Sequence, residues 1–339
     1  MMLEISETSA LIGDTPLIDV SRLFPESKAR VLAKIEYFNP GLSVKDRIAK
    51  YILDQLEAQK RIIPGGTIIE CSSGNTGIGL AILAAERGYR FICFMQTKHS
   101  KEKIRLIRAL GGEVKICDGS LERSHPESAQ SQAALLAEET PNSYWINQYD
   151  NPLNPEAHYH STGPEIWNQT NGQMTHFIAS ASTGGTLSGC ARFFREQSNQ
   201  VKNLAADSYG SALAHYHETG EFDPSVTHNY KAENVGKKYI PGTLNFSVVD
   251  KFIKVTDGAA ARMARNAARQ MGLLLGYSCG AALEVVNLIQ SDLSHQDLVV
   301  VMCPDHGSRY MNTIYNDEWM EENGFMESTK ILSENGSVR

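Results

Sequence analysis

Apolar and polar residues fall into a repeated order along the chain: a short apolar run, a turn rich in glycine and hydroxyls, then a segment of helical period. In the first half, the runs at 67–70 (TIIE), 91–96 (FICFMQ), 113–118 (EVKICD) and 144–148 (YWINQ) predict strands. Between them, 75–88 predicts a helix stopped by Gly88, 100–112 an amphipathic helix with a serine start and glycine stop, and 127–139 a third helix. The order resumes with the strand HFIAS (176–180), the turn ASTGG and the helix TLSGCARFFREQ. FIKVTD, the helices GAAARMARNAARQMG and GAALEVVNLIQ, and the strand DLVVVMC (297–303) follow. Such alternation predicts an α/β protein with parallel sheets covered on both faces by helices. Two such blocks meet near residue 150, with a cleft expected between them. The stretch from about 208 to 247 breaks the pattern and predicts a long excursion over the cleft mouth.

Composition narrows the classes. The 339 residues suit two domains, and 42% hydrophobic with 21% charged residues argues for packed cores. A net charge of -7 gives no support for a nucleic-acid binder, yet leaves room for a small anion held by backbone amides. The six cysteines lack zinc or redox spacing and predict reduced, buried thiols in a cytoplasmic protein. The first residues lack a signal-peptide pattern, and no apolar run nears the roughly 20 residues of a membrane helix, so no membrane partner is expected. His158 and His160, two apart on a predicted helix, face different ways and suit no shared metal. His215 and His217 are expected in solvent, and Trp145, Trp167 and Trp319 as packing residues.

Three turns carry candidate chemistry. ECSSGNTGIG (70–79) follows a strand and opens a helix, where free amides and the helix dipole suit an anion such as a carboxylate. Its spacing is not that of a dinucleotide loop, and an ordinary serine-capped helix is the competing reading. SASTGGTLSG (180–189) repeats the arrangement. Gly184 and Gly185 allow close backbone approach, and Ser182, Thr183 and Thr186 add hydroxyls that suit a phosphate. In GLLLGYSCGAALEVV (272–286), Ser278 by itself reads as a helix cap. Lys45 lies at a loop-to-helix junction beside Asp46 and Arg47, where a solvated surface charge is the ordinary reading and a chemical role the sharper one.

Seven motifs in order join these pieces: GDTPLI (13–18), NPGLSVKDR (39–47), SSGNTGIGLA (72–81), NPxNPxAHYHSTGPEIW (151–167), STGGTLSG (182–189), GYSCGAA (276–282) and PDHGSRYM (304–311). By these motifs the chain resembles the pyridoxal-phosphate enzymes of the cysteine synthase and cystathionine β-synthase family over roughly residues 10 to 320. The resemblance implies a fold type II, tryptophan synthase β-subunit-like architecture of two three-layer α/β domains with pyridoxal 5'-phosphate in the cleft. It implies a smaller, mobile domain from 1–16 and 39–150, a larger phosphate-binding domain from 17–38 and 151–325, and a polar tail over 326–339. Lys45 then matches the catalytic lysine that holds the cofactor as a Schiff base, Asn75 the partner of the ring hydroxyl, and Ser182, Thr183, Gly184, Gly185 and Thr186 the phosphate cup. Ser278 matches the serine at the pyridine nitrogen, and Ser72, Ser73, Thr76 and Gln148 the grip on the amino-acid carboxylate.

Some positions depart from the family pattern. Ser182 stands where glycine is common, Cys71 where proline is usual, and Asn234 where the entrance segment carries glycine, followed by Lys237 and Lys238. Glu233, Asn234 and Tyr239 are the entrance and specificity positions. ADSYGSALAHYHETGEFDPS (206–225) and VGKKYIP resemble the cystathionine β-synthase branch. The expected reaction is β-replacement on serine by homocysteine through an aminoacrylate, giving cystathionine and water. Cysteine synthase, a sulfide-releasing cysteine β-lyase and an inactive regulatory homologue are the alternatives. A homodimer is expected, with neither haem nor an adenosyl-ligand regulatory module.

Overall fold

The apolar runs do become strands, because a run buried on both faces needs a parallel neighbour on each side and helices above and below. The computed structural model describes residues 6–97 and 100–326. In chain order the elements are β1 (Leu17–Asp19), β2 (Arg30–Ile35), α1 (Lys45–Ala58), β3 (Thr67–Cys71), α2 (Asn75–Arg87), β4 (Arg90–Gln96), α3 (Lys101–Ala109), β5 (Glu113–Cys117), α4 (Ala129–Glu139) and β6 (Ser143–Trp145). There follow α5 (Leu153–Ala157), one π-helical turn (His158–Thr162), α6 (Gly163–Gln169), β7 (His176–Ser180), α7 (Gly185–Gln197), β8 (Lys202–Ser208), α8 (Leu213–Thr219), β9 (Lys251–Val255), α9 (Asp257–Met271), α10 (Tyr277–Ile289), β10 (Leu298–Cys303) and α11 (Asp317–Glu322).

These strands form two sheets. One has the order β5-β4-β3-β6 and is wholly parallel. The other has the order β1-β2-β10-β7-β8-β9 and is parallel except for the β1–β2 pair. The chain starts the larger sheet, leaves it after β2 to build the smaller one, and returns at β7. Each sheet is covered on both faces. In the larger, Val299, Val301, Ile178 and Ala206 pack with α9 and α10, while Val300, Phe177 and Ala205 pack with Leu187, Cys190 and Phe194 of α7. In the smaller, Ile68 and Cys93 pack with α1 and α2, while Ile69, Ile92 and Phe94 pack with Ala129 and Ala133 of α4.

Three strands, β1, β2 and β8, fall outside the runs read from the pattern. In β8 (KNLAADS), Asn203, Asp207 and Ser208 are buried polar residues that hide the strand among loop-like residue types. The run at 144–148 is shorter than expected. It ends at Trp145 because Asn147 takes a φ of 47°, which turns Ile146–Gln148 out of the sheet. The 208–247 stretch is irregular but contains α8, on which His217 is half-buried rather than fully in solvent: Nε2 meets the Val249 carbonyl at 3.0 Å and the ring packs on Phe252. All six cysteines are unpaired and five are buried, Cys117 being half-buried. Among the described residues no helix is long and apolar enough to cross a membrane, and no group of His, Cys, Asp or Glu is placed to hold a metal ion. Most of the tail over 326–339 lies outside the described residues.

Candidate active site

The carboxyl ends of β3, β7 and β10 converge between the two sheets, the usual place for a ligand in open α/β sheets. The cleft there holds about 640 Å³ of empty space, counting the part open to solvent. Lys45, Ser73, Asn75, Thr76, Gln148, Ser182, Thr183, Gly184, Thr186, Asn234 and Ser278 all line it. The structure thus brings together residues separated by more than 200 positions in the chain. Ser72, Gly185, Glu233 and Tyr239 are not among the lining residues.

Lys45 is the first residue of α1, and a buried network fixes that helix end. Arg47, two residues on and so on the opposite side of the helix, pairs with Glu36 (2.7 Å) and Glu165 (2.9 Å), and Thr15 donates to Glu36 (2.6 Å). The GDTPLI and NPGLSVKDR motifs are therefore one unit, completed by the Gly13 amide on Asn39 Oδ1 at 2.9 Å. Burial alone would raise the Glu36 carboxyl, but Arg47 holds it below its ordinary range. Asp46 accepts from the Gly41 amide and shapes the loop, although burial pushes its pKa up to about 7. The Lys45 ammonium points into the cleft, 3.4 Å from Thr183 Oγ1. Burial, then the like charge of Lys237, lowers its pKa to about 8. An amine so placed has a far larger neutral fraction near pH 8 than a surface lysine.

The first turn joins β3 to α2. Ser72 turns its hydroxyl back on the helix, accepting from the amides of Gly74 (3.0 Å) and Gly77 (3.1 Å). The serine-capped helix is thus the right reading for Ser72, while Ser73 and Thr76 face the cleft. Thr76 donates to Gln148 Oε1 (2.7 Å), and Gln148 Nε2 donates to Glu70 Oε1 (3.2 Å) and to the Cys71 carbonyl (3.3 Å). Burial pushes Glu70 up to about 8, so it is mostly protonated at neutral pH. Burial also pushes the Cys71 thiol well up, which keeps it unreactive.

Asn75 shows what the sequence hid. Its Nδ2 donates to Asp305 Oδ2 (2.7 Å), and its Oδ1 accepts from Arg309. Arg309 also donates to the Gly41 carbonyl, so the PDHGSRYM motif ties the first turn to the Lys45 loop. Tyr310 adds a hydroxyl to Asp305 at 2.7 Å.

The second turn joins β7 to α7. Gly184 has a φ of 89°, and a Cβ there would fall 2.5 Å from Leu244 Cβ. A Cβ on Gly185 would fall 2.0 Å from Asn154 Oδ1, so Asn154 is what requires glycine at that position. Ser182 keeps a negative φ and tolerates its side chain. Thr243 Oγ1 holds the Thr183 carbonyl at 2.6 Å. His158, weighed from sequence only as a metal ligand, is fully buried and places Nε2 3.1 Å from Thr186 Oγ1. Burial and then the charges of Lys45 and Arg47 push its pKa well down, so it is neutral. Its signal was the 151–167 motif rather than its spacing from His160.

Ser278 lies in the first turn of α10, which starts after Gly276. Its hydroxyl does not cap the helix. It is buried, faces the cleft and makes no hydrogen bond to the protein.

At the cleft mouth, Glu233 pairs with Lys103 of α3 at 2.9 Å, which bridges the two sheets' blocks. Tyr239 packs edge-on to Tyr149, and Asn234, at a φ of 62°, donates to the Tyr310 hydroxyl (3.1 Å). Asparagine tolerates this left-handed backbone better than most residues, which explains why it can replace a glycine.

A family model described as pyridoxal-phosphate dependent enzyme matches residues 8–305. The chain is 41% identical over 324 residues to cystathionine beta-synthase of Apis mellifera, covering 93% of this chain and 62% of that one. It is 35% identical over 316 residues to cysteine synthase 1 of Emericella nidulans, covering 92% and 85%. It thus spans about six-tenths of the length of the cystathionine beta-synthase relatives. The crystal structure of O-ureido-L-serine synthase superposes with a TM-score of 0.84 at 33% identity, covering 94% of this chain and all of that one.

Proposed function

From the premise that the chain belongs to the family of pyridoxal-phosphate-dependent enzymes, with pyridoxal phosphate as its cofactor, we propose that it replaces the β-hydroxyl of serine with a thiol. Homocysteine is the proposed thiol, so that the products are cystathionine and water. The residues fit the cofactor: a buried Ser278 hydroxyl that lines the cleft has no protein partner, and Gly184, at a φ of 89° close against Leu244, keeps bare backbone at the cleft wall.

When bound, the cofactor supplies an aldehyde that takes up an amine and a ring that withdraws electron density from Cα. Lys45 would be the residue that holds the cofactor's aldehyde group, and its free amine would serve as the base beside Cα. Its lowered pKa suits both tasks, because the amine must be neutral to accept a proton. The ammonium so formed can return that proton to the departing hydroxide, a poor leaving group. Ser182 to Thr186 and the amides opening α7 hold the phosphate, and neutral His158 fixes the Thr186 hydroxyl. The free Ser278 hydroxyl would face the ring nitrogen. A hydroxyl is too weak an acid to keep such a nitrogen protonated, which would suit elimination of the β-group. Asn75 would meet the ring hydroxyl, its amide oriented by Asp305 and Arg309. Ser73 and Thr76, with Gln148 and the capped backbone around Ser72, hold the amino-acid carboxylate.

The same proposal includes the division into a domain of 1–16 with 39–150 and one of 17–38 with 151–325. Strand membership supports it, β3–β6 forming one sheet and the remaining strands the other. It also includes a homodimer, supported by large apolar side chains, Phe38, Leu42 and Met311, left exposed on segments that Arg309 ties together at Gly41.

The single observation that supports the reaction is the Lys45 amine held 3.4 Å from Thr183 Oγ1 in a cleft that both turns share. The test is paired. Serine with homocysteine is expected to show the higher kcat/KM, against O-acetylserine with sulfide, and the reverse ranking moves the chain to the cysteine synthase branch. Lys45→Ala is expected to abolish the covalent absorbance of the cofactor and to lower turnover by about 10³-fold or more. Full activity in that variant would end the proposal.

A further inference from the structure

The cleft mouth carries a cation that the roles above do not use. Lys237 Nζ donates to the Tyr149 hydroxyl at 3.2 Å and lies 4.9 Å from the centre of the Tyr149 ring. Tyr149 itself lines the cleft. Two neighbouring cations are matched, Lys103 by Glu233 and Arg123 by Asp150, while the exposed Lys238 donates to Asn229 Oδ1 at 2.7 Å. Among the described residues, no carboxylate lies within ion-pair distance of Lys237.

A half-buried ammonium usually has an anionic partner, because leaving water costs it solvation. Tyr149 is not that partner: burial pushes its pKa far up, so it stays a neutral phenol. Nor is the lysine loosely placed. Its amide donates to Ser211 Oγ (2.9 Å), its carbonyl accepts from the Ala212 amide (2.8 Å), and the preceding Gly236 amide binds the Ala181 carbonyl beside the second turn. The charge acts on the site, since it helps lower the Lys45 pKa.

Taking the β-replacement reading as its basis, we propose that Lys237 binds the carboxylate of the attacking substrate, so that the site selects thiols bearing an acid group over neutral thiols. The amino acid that loses its β-group has its own carboxylate grip at Ser73, Thr76 and Gln148 on the smaller sheet's block. Lys237 approaches from the other block, past Tyr149, and serves a second carboxylate. Lysine is suited to this as a compact charge on a flexible stem, here steadied by the ring beneath it.

The test uses two thiols of equal length, 4-mercaptobutyrate and 4-mercaptobutan-1-ol, each with serine and the holoenzyme. In Lys237→Met, KM for the acid is expected to rise roughly ten- to a hundredfold, as for the loss of a charged hydrogen bond. KM for the alcohol is expected to stay within about twofold, and Lys237→Arg to restore the preference for the acid. Equal changes for both thiols, or no change for either, would overturn the assignment while leaving β-replacement intact. Calorimetric titration of the holoenzyme with unreactive 4-(methylthio)butyrate needs no turnover. Affinity lost in Lys237→Met and kept in Lys237→Arg supports the assignment, and unchanged affinity overturns it. If no thiol is turned over with serine, the underlying reaction fails, and the calorimetric result decides on Lys237 by itself.

Discussion

The two turns that face each other across the cleft have the same local design and different finished states. Each follows a parallel strand, carries glycine and hydroxyls, and opens a helix with free amides. In the turn after β3, the side chains are already committed: Ser72 to Gly74 and Gly77, Thr76 to Gln148, and Asn75 to Asp305 and Arg309. In the turn after β7, Ser182, Thr183, Gly184 and Thr186 line the cleft, braced from behind by Thr243, Asn154 and His158. One turn is linked across to the other block through Asp305 and Arg309. The other is braced from its own block, as a rigid cup would be. The difference matches the division of labour proposed for them, a substrate that comes and goes against a cofactor that stays. A local motif therefore defines what a turn can bind, and its supports decide whether it is preformed.

The comparison breaks most sharply at Gly184. Valine there must adopt a φ of 89° and place its Cβ 2.5 Å from Leu244 Cβ and 2.7 Å from Leu244 Cα. Strain of about 2–3 kcal/mol or more predicts a loss of cofactor affinity of about a hundredfold, read from bound-cofactor absorbance. Unchanged occupancy would remove the rigid cup from the account. Gly74→Ala probes the other turn. Its Cβ meets Lys103 Cδ at 2.4 Å, on a buried stem anchored by Glu233, at a φ of 142°. The expected result is a KM for serine raised by about tenfold with cofactor content unchanged. If this variant also loses cofactor, the two turns do not divide the work. Glu70→Gln is the smallest change. Both side chains are neutral at pH 7, so kcat/KM is expected to change by less than about twofold.

The pH dependence of that last variant has a definite sign. Burial raises the Glu70 pKa from 4.5 to about 8. The folded chain keeps the proton across that window while the unfolded chain has lost it, so this group makes wild-type stability fall as pH rises through it. Glutamine removes the effect. The Tm advantage of Glu70→Gln is expected to be near zero at about pH 5 and to grow until about pH 8. A constant difference across that range would show that Glu70 ionises normally.

Much of this molecule was legible before its fold. Strand–turn–helix alternation predicted parallel sheets, and Lys45 and most of the residues named at the turns line the cleft, Ser72 and Gly185 excepted. These features depend on neighbours one to five positions apart, where pleat, helical period and backbone freedom act directly on residue type. Other features depend on what long loops bring together. β8 needs burial to make a strand from KNLAADS, and Gln148 reaches the cleft because Asn147 turns the chain out of β6. Whether Ser278 caps its helix or offers a free hydroxyl follows from its place against the cleft. Asp305 and Arg309 orient Asn75 from 230 and 234 positions away, His158 meets Thr186 across 28, and Lys103 meets Glu233 across 130. Composition and spacing carry no record of such distances. The sequence by itself determined the sheet class, the two glycine- and hydroxyl-rich turns and the lysine that the cleft places between them. Only tertiary packing decided which polar groups are spent on one another and which stay free for a ligand, because that depends on burial and on partners the chain order does not reveal.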